Sequence, residues 1–275
     1  MAHFRHILFP VDFSPACVAF LPSVERMAKR FDAQLSLLHV LEVPATWYAR
    51  GDTGMRAWFD LPGMTEDCQR LLSVFGPTSL FRVERTVMEG DPASCIAAYA
   101  AQQGVDLIMM PTNGHGARRN QLLGSVAAKV LHDAACPVWT GADLTPQEEI
   151  RCILCAVDEW PEAHCVLEQA WALSHIFEAH LVVMHAVPEI TDGHLADSFR
   201  QAALSHISSL QTKARASGEA VIATRDISRA VRETAEGRQA GLVVIGRGLT
   251  SHTSGRLGTN AYPIIRDSPC PVLSF

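Results

Sequence analysis

Nowhere do about 18 apolar residues follow one another, so no bilayer-spanning helix is expected. No early stretch joins a basic start, a long apolar run and a small-residue exit, so no secretory leader is expected either. Basic excess is missing too: 23 Lys and Arg stand against 29 Asp and Glu, a net charge of −6. That balance argues against nucleic acid and acidic membranes as partners, since both demand a basic face. The Gly-x4-Gly-Lys-Ser/Thr phosphate loop is absent, which argues against a hydrolase of that type. No Gly-x-Gly-x2-Gly follows the first apolar run, and no Ser-Gly-Gly adenylation loop does, so a dinucleotide dehydrogenase and an adenylating ligase are set aside. The 12 histidines form no His-x3-His, and Cys152-x2-Cys155 has no second pair at ligand spacing, so no metal site is expected.

What is present is a globular composition, 48% apolar and 19% charged, in 275 residues, a length that suggests two domains. Most of the 8 cysteines, such as Cys95, Cys165 and Cys270, lie in apolar runs, as reduced core cysteines do. A soluble, cytoplasmic protein is the expectation. Cys152 and Cys155 sit three apart on an expected strand, where they face opposite sides, so core packing is the preferred reading of that pair.

The chain repeats itself. "HILFPVDFSP" (6–15) lies over "CILCAVDEWP" (152–161), matching Val11 with Val157, Asp12 with Asp158 and Pro15 with Pro161. The same offset of 146 carries "FDAQLSLLHVLEVP" (31–44) onto "FEAHLVVMHAVPEI" (177–190), with His39 on His185. Farther on, "GSVAAKVLHDAACPVW" (124–139) matches "GTNAYPIIRDSPCPVL" (258–273) at an offset of 134. A period near 145 is too long for a solenoid, so each copy is expected to be a domain, residues 1–141 and 150–275, joined by the polar "GADLTPQEEI".

Each copy alternates strand and helix. In the first, Ile7–Val11, Leu35–Val40, Arg82–Met88, Val105–Met110 and the closing "CPVWTG" read as strands. Ser14 with Pro15, and Asp91 with Pro92, signal helix starts; Pro22 is expected to kink the first helix or shift its start. The fold class is α/β: two tandem doubly wound domains, each a five-stranded, mainly parallel sheet flanked by helices. The copies differ at 45–80, where Trp47, Tyr48, Trp58 and Phe59 form either a lid or docking patch, or a long loop folded back by its own aromatics.

"PTNGHGARRNQLLGSVAAKV" (111–130) joins an apolar run to a helix-like run. Gly114 and Gly116 permit close backbone approach, and Gly124-Ser125 opens a helix whose free N–H groups and positive end suit an anion. Arg118 and Arg119 add charge. Plain turn chemistry is the other reading.

Gly114-x9-Gly124-Ser125, together with "ILFPVDFSP", "LLHV", "GDPA" and "GSVAAKVLHDAACPV", resembles the universal stress protein family, and the likeness extends over both copies. The resemblance implies an adenine nucleotide, ATP with an accompanying Mg²⁺, at the carboxyl ends of the first and fourth strands. It assigns Pro10, Val11, Asp12 and Val40 to the base and ribose, and Gly114, Gly124, Ser125 and Val126 to the phosphates, with Met110 ending the fourth strand. Asp12 has an equal structural reading as a turn cap. The family's first loop glycine is replaced by Pro111 and a usual His by Asn113. In copy two, Gly246, Gly248, Gly258 and Thr259 remain in a loop one residue shorter, and Glu159 and Trp160 follow Asp158. At most one tightly held nucleotide per chain, in copy one, is therefore expected, with copy two empty or holding something else.

The resemblance also implies a pairing of the copies through "CPVWTG" and "CPVLSF", an intramolecular pseudo-dimer, with a homodimer as a further assembly. The leading reading is a nucleotide-binding stress-response sensor or adaptor with an unidentified protein partner. Its rival is an interaction module of the same fold without nucleotide. Catalysis is not expected, since slow ATP hydrolysis or self-phosphorylation would have no general base beyond Asp12. His39 and His185 are expected to settle their strand ends by hydrogen bonding.

Overall fold

The computed structural model describes residues 4–42, 60–76, 83–114, 123–141, 149–160, 162–189, 192–224, 226–247 and 260–275. Two compact units, chiefly residues 3–138 and 139–275, make up the chain. The aromatics at 47, 48, 58 and 59, Arg118, Arg119, Gly248, Gly258 and Thr259 lie outside the described residues.

In the first half of the chain the strands are β1 (His6–Pro10), β2 (Gln34–Glu42), β3 (Val83–Gly90), β4 (Leu107–Pro111) and β5 (Val138–Gly141, of which only Val138 belongs to the first unit), ordered β3-β2-β1-β4-β5. β1 pairs in parallel with β2 and β4, and β2 with β3. Both faces of a parallel sheet are covered, so its strands need unbroken apolar runs rather than alternation. Ile7, Leu8 and Phe9 of β1, and Leu107, Ile108 and Met109 of β4, are accordingly fully buried.

The helices are α1 (Pro15–Phe31), α2 (Leu61–Val74), α3 (Pro92–Gln103) and α4 (Ser125–Asp133). Ser14 caps α1 by accepting from Cys17 N, with Pro15 in the first turn where its missing N–H removes nothing. α1 starts at Pro15 and runs through Pro22 to Phe31 as one helix, so Pro22 does not shift its start. Buried Phe20, Val24, Ala28 and Phe31 supply the packing that overrides the lost hydrogen bond. Helix α2, unanticipated in the sequence, starts where the Asp60 side chain accepts from Gly63 N. Helix α3 ends at Gly104, whose φ of 64° is the left-handed conformation that glycine adopts without penalty.

The second unit repeats the plan: β6 (Cys152–Ala156), α5 (Ala163–Phe177), β7 (His180–Ala186), α6 (Gly193–Ala214), β8 (Glu219–Ala223), α7 (Ile227–Arg238), β9 (Leu242–Ile245), α8 (Ala261–Asp267) and β10 (Val272–Ser274). Its order is β10-β9-β6-β7-β8, with parallel pairing throughout. Cys155 is fully buried and Cys152 nearly so, as core residues of β6.

Leu131 on α4 is fully buried, whereas Val74 at the end of α2 is 81% exposed. Leu131→Ala is expected to destabilise the first unit by about 2–5 kcal/mol in urea unfolding, and Val74→Ala by less than about 0.5 kcal/mol. Equal effects would contradict this placement of the core.

Candidate functional site

Strand β1 has β2 on one side and β4 on the other, so the winding reverses between β1 and β4. The loops leaving two such strands part in opposite directions and open a crevice at their carboxyl ends. Leu8 stands opposite Ile108, and Pro10 and Met110 each follow two residues later. The ladder with β2 ends near Pro10 opposite Leu38 and Val11 N donating to Leu38 O at 2.8 Å. Val40 therefore lies two residues past the last paired position of β1, at the edge of the crevice. His39 Nδ1 donates to Val11 O at 2.7 Å and so holds the strand end, as expected.

Asp12 is exposed at the mouth of this crevice. Its Oδ1 accepts from Ser14 N at 2.9 Å, the turn-capping role. Its Oδ2 lies so near where a Cβ on Gly114 would be that a side chain there would push the carboxylate aside. Asp12 thus both caps its own turn and meets the Gly-rich loop. Between Asp12 and Ser14, Phe13 has φ 59°, a conformation disfavoured for a bulky residue. Its ring packs on His39 with centroids 4.7 Å apart and edge-on against Phe75 at 5.6 Å.

β4 includes Pro111, so the described loop starts at Thr112, one residue later than the sequence suggests. A proline suits an extended strand end, and the residue before it is driven to the same conformation. Gly124 N donates to Thr112 O at 2.7 Å and closes the loop at its neck. A Cβ on Gly124 would stand 3.3 Å from that oxygen, tight but admissible. Gly124 is the N-cap of α4 and supplies no side-chain cap, whereas α1, α2 and α3 are capped by Ser14, Asp60 and Asp91. Ala128 N is bonded to Gly124 O at 2.9 Å, while the N–H groups of Ser125, Val126 and Ala127 precede that first intrahelical bond. Ser125 is exposed and Val126 half-buried. Gly114 thus lies against Asp12, and Gly124, followed by Ser125 and Val126, against Thr112 and Asn113, near the carboxyl ends of β1 and β4 where Pro10 and Met110 also stand.

Lys129 was not singled out in the sequence. Its Nζ donates to Asp91 Oδ1 at 3.1 Å and Oδ2 at 3.3 Å. The Ser94 hydroxyl and N–H, and then Lys129, hold the Asp91 carboxyl down at about 2. The signal was Lys129 standing four residues after Ser125, but only the packing of α3 on α4 shows what it meets.

In the second unit the backbone plan is kept and the chemistry differs. Val157 N donates to Met184 O at 2.9 Å, and His185 Nδ1 to Val157 O at 2.9 Å. His206 Nε2, from α6, donates to Asp158 O at 2.9 Å, and its ring lies 5.4 Å from His185. Asp158 Oδ1 accepts from Trp160 N at 3.1 Å, while Glu159 and Trp160 point outward and are exposed. Arg247, buried, takes the position that Thr112 has in the first unit. Helix α8 begins at Ala261, two residues past the counterpart of Ser125, after Asn260 without a side-chain cap.

Among the described residues no group of three or more His, Cys, Asp or Glu is placed to hold a metal ion, and no helix is long and apolar enough to cross a membrane. Burial pushes the Cys17, Cys155 and Cys270 thiols up to about 12, which suits packing rather than thiolate chemistry.

Burial also raises the Asp158 carboxyl above its usual value, against the pull of the Trp160 N–H and the two histidines. The folded chain then holds this proton to higher pH than the unfolded one, so stability falls as pH rises from the unfolded carboxyl value of about 3.9 through the raised one. Asp158→Asn keeps an acceptor for Trp160 N and removes the charge. It is expected to raise the melting temperature more at pH 7 than at pH 4; no gain at pH 7 would contradict the burial.

The universal stress protein family is matched twice, over residues 3–140 and 149–275. A universal stress protein of Methanocaldococcus jannaschii is 30% identical over 146 residues, 49% of this chain and 80% of its own length. Universal stress protein A homolog 1 of Coxiella burnetii is 28% identical over 138 residues, 50% of this chain and 94% of its own. The crystal structure of a universal stress protein from Archaeoglobus fulgidus superposes with a TM-score of 0.67 at 22% identity, covering 98% of this chain and 95% of that one. A functionally unknown protein from Pseudomonas aeruginosa reaches 0.70 at 18% identity over 99% and 92%, a likeness of fold. With both halves matched, the chain belongs to the universal stress protein family.

Proposed function

We propose that the first unit binds an adenine nucleotide, ATP with Mg²⁺ carried on its phosphates, and that the chain acts in the stress response as a nucleotide-dependent sensor or adaptor. Membership of the family supports the stress-response role. The observation that carries the nucleotide reading is the start of α4, uncapped by any side chain, beside the Asp12–Gly114 contact. Backbone N–H groups at a helix start, with the positive end of its dipole, are suited to phosphate oxygens.

The residues present fit such a guest. Ser125, Val126 and Ala127 would hold phosphate through N–H groups, Gly114 leaves room for close approach, and Asp12 would accept from ribose hydroxyls. Val40, past the paired end of β1, would offer its backbone to the base. A rival reading, an interaction module without nucleotide, is favoured by Pro111, which removes one N–H from the loop entrance. Protein purified without added ligand and then denatured separates the two: released adenine nucleotide supports the first.

Gly124→Asp supplies a sharper test. Gly124 has φ −62° and ψ 147°, which aspartate adopts freely, and aspartate is a preferred N-cap. The fold is expected to persist while the new carboxylate takes the α4 N–H groups and repels phosphate. ATP affinity measured by isothermal titration is expected to fall at least about tenfold, from one site per chain. Unchanged affinity would remove this loop from the site, and two equal sites would contradict the difference between the units.

A further inference from the structure

We propose that Lys129 makes the first unit's site select a polyphosphate over a nucleoside, with Asp91 tempering its strength; this rests on the nucleotide reading above. Lys129 follows Ser125 by four residues on α4, a rise of ~6 Å on nearly the same helix face. Helical side chains lean toward the helix start, so a long one at this position reaches back to the first turn. Lys129 Nζ lies 3.1 and 3.3 Å from the two oxygens of Asp91, the N-cap of α3. Helices α3 and α4 leave the carboxyl ends of β3 and towards β5 from β4 in the same parallel sheet, so both start at the end where the crevice opens. The ammonium thus lies beside the α3 start, at the carboxyl end of the sheet.

The pair is solvated, with the side chains 56% and 51% exposed. Exposed pairs are weak, and a lysine ammonium on a flexible stem exchanges partners readily. Asp91 is committed elsewhere: its Oδ1 also accepts from Ser94 N at 3.0 Å and Ser94 Oγ at 2.6 Å. Lys129 can therefore turn toward an anion at the α4 start while Asp91 keeps capping α3. An outer phosphate would meet this cation; a nucleoside, which has no phosphate, would not.

The second unit keeps the cap and lacks the cation. Asp226 caps α7 by accepting from Arg229 N at 3.3 Å. The residue matching Lys129 is Pro263, whose carbonyl accepts from Ser228 Oγ at 3.1 Å. The duplication thus separates the helix-capping carboxylate, present in both copies, from the ammonium, present in one.

Isothermal titration of the full chain with adenosine and ATP at one fixed ionic strength tests this. Lys129→Met is expected to weaken ATP binding about five- to tenfold, the scale of one charge at a few ångströms in a partly solvated site. Adenosine affinity is expected to stay within about twofold, and Lys129→Arg to restore most of the loss. Asp91→Asn keeps the cap, since asparagine caps as well as aspartate, and frees the ammonium, so ATP affinity is expected to rise about two- to fivefold. Opposite signs for the two variants are the signature of charge, because merely breaking the contact between α3 and α4 would move both the same way. Changes of the same sign, or equal losses for adenosine and ATP, overturn the role of Lys129 and leave nucleotide binding standing. Failure of the unaltered chain to bind either ligand overturns both.

Discussion

A carboxylate resting against a glycine ties together the two loops that leave β1 and β4. Asp12 holds Ser14 N with one oxygen and fills the space above Gly114 with the other. The strands on either side are neighbours in a parallel ladder, yet their chains depart toward different helices, and the side chain of Asp12 stands where they part. Around it, Phe13 is held at positive φ by packing on His39 and Phe75, and His39 in turn holds Val11 O. A disfavoured backbone angle that persists only because its surroundings impose it is common where a loop is being aimed.

The start of α4 shows the same division between stability and use. Three helices of the first unit have their first N–H groups satisfied by a side chain of the preceding turn; α4 follows a glycine. An aspartate or serine at that position would stabilise the helix by roughly a few tenths of a kcal/mol. Its first N–H groups are left to solvent, or to the nucleotide proposed above.

Comparison of the two units separates what the fold requires from what the site requires. Both keep the donor bond from the residue before the aspartate to the second strand, and both keep the histidine that holds that residue's carbonyl. These bonds finish strand ends in any copy. The groups near the crevice have diverged: Phe13 corresponds to Glu159, Thr112 to Arg247 and Lys129 to Pro263. His206 supplies the ring against His185 that Phe13 supplies against His39. Asp158, half-buried between these histidines, sits in surroundings that disfavour its charge. At the counterpart of Lys129 the second unit has Pro263, and its helix α8 starts two residues later than α4 does.

The amino-acid sequence by itself determined the duplication, the α/β class and most of the residues now found around the crevice. Buried parallel strands require continuous apolar runs, and caps such as Ser14 and Asp91 act on N–H groups two or three residues away, so both signals are local. The fate of Pro22 was decided by packing instead, because the buried face of α1 outweighs one missing hydrogen bond. So was the placement of Asp12: spacing alone left capping and ligand contact equally open, and only the folded chain brings one of its oxygens to Ser14 N and the other beside Gly114, about a hundred residues away in the chain. Lys129 is the clearest case. Its charge was visible in "GSVAAKV", but a charge acts through what lies within a few ångströms of it, and its neighbour Asp91 is 38 residues away in the chain and adjacent only where α3 packs on α4.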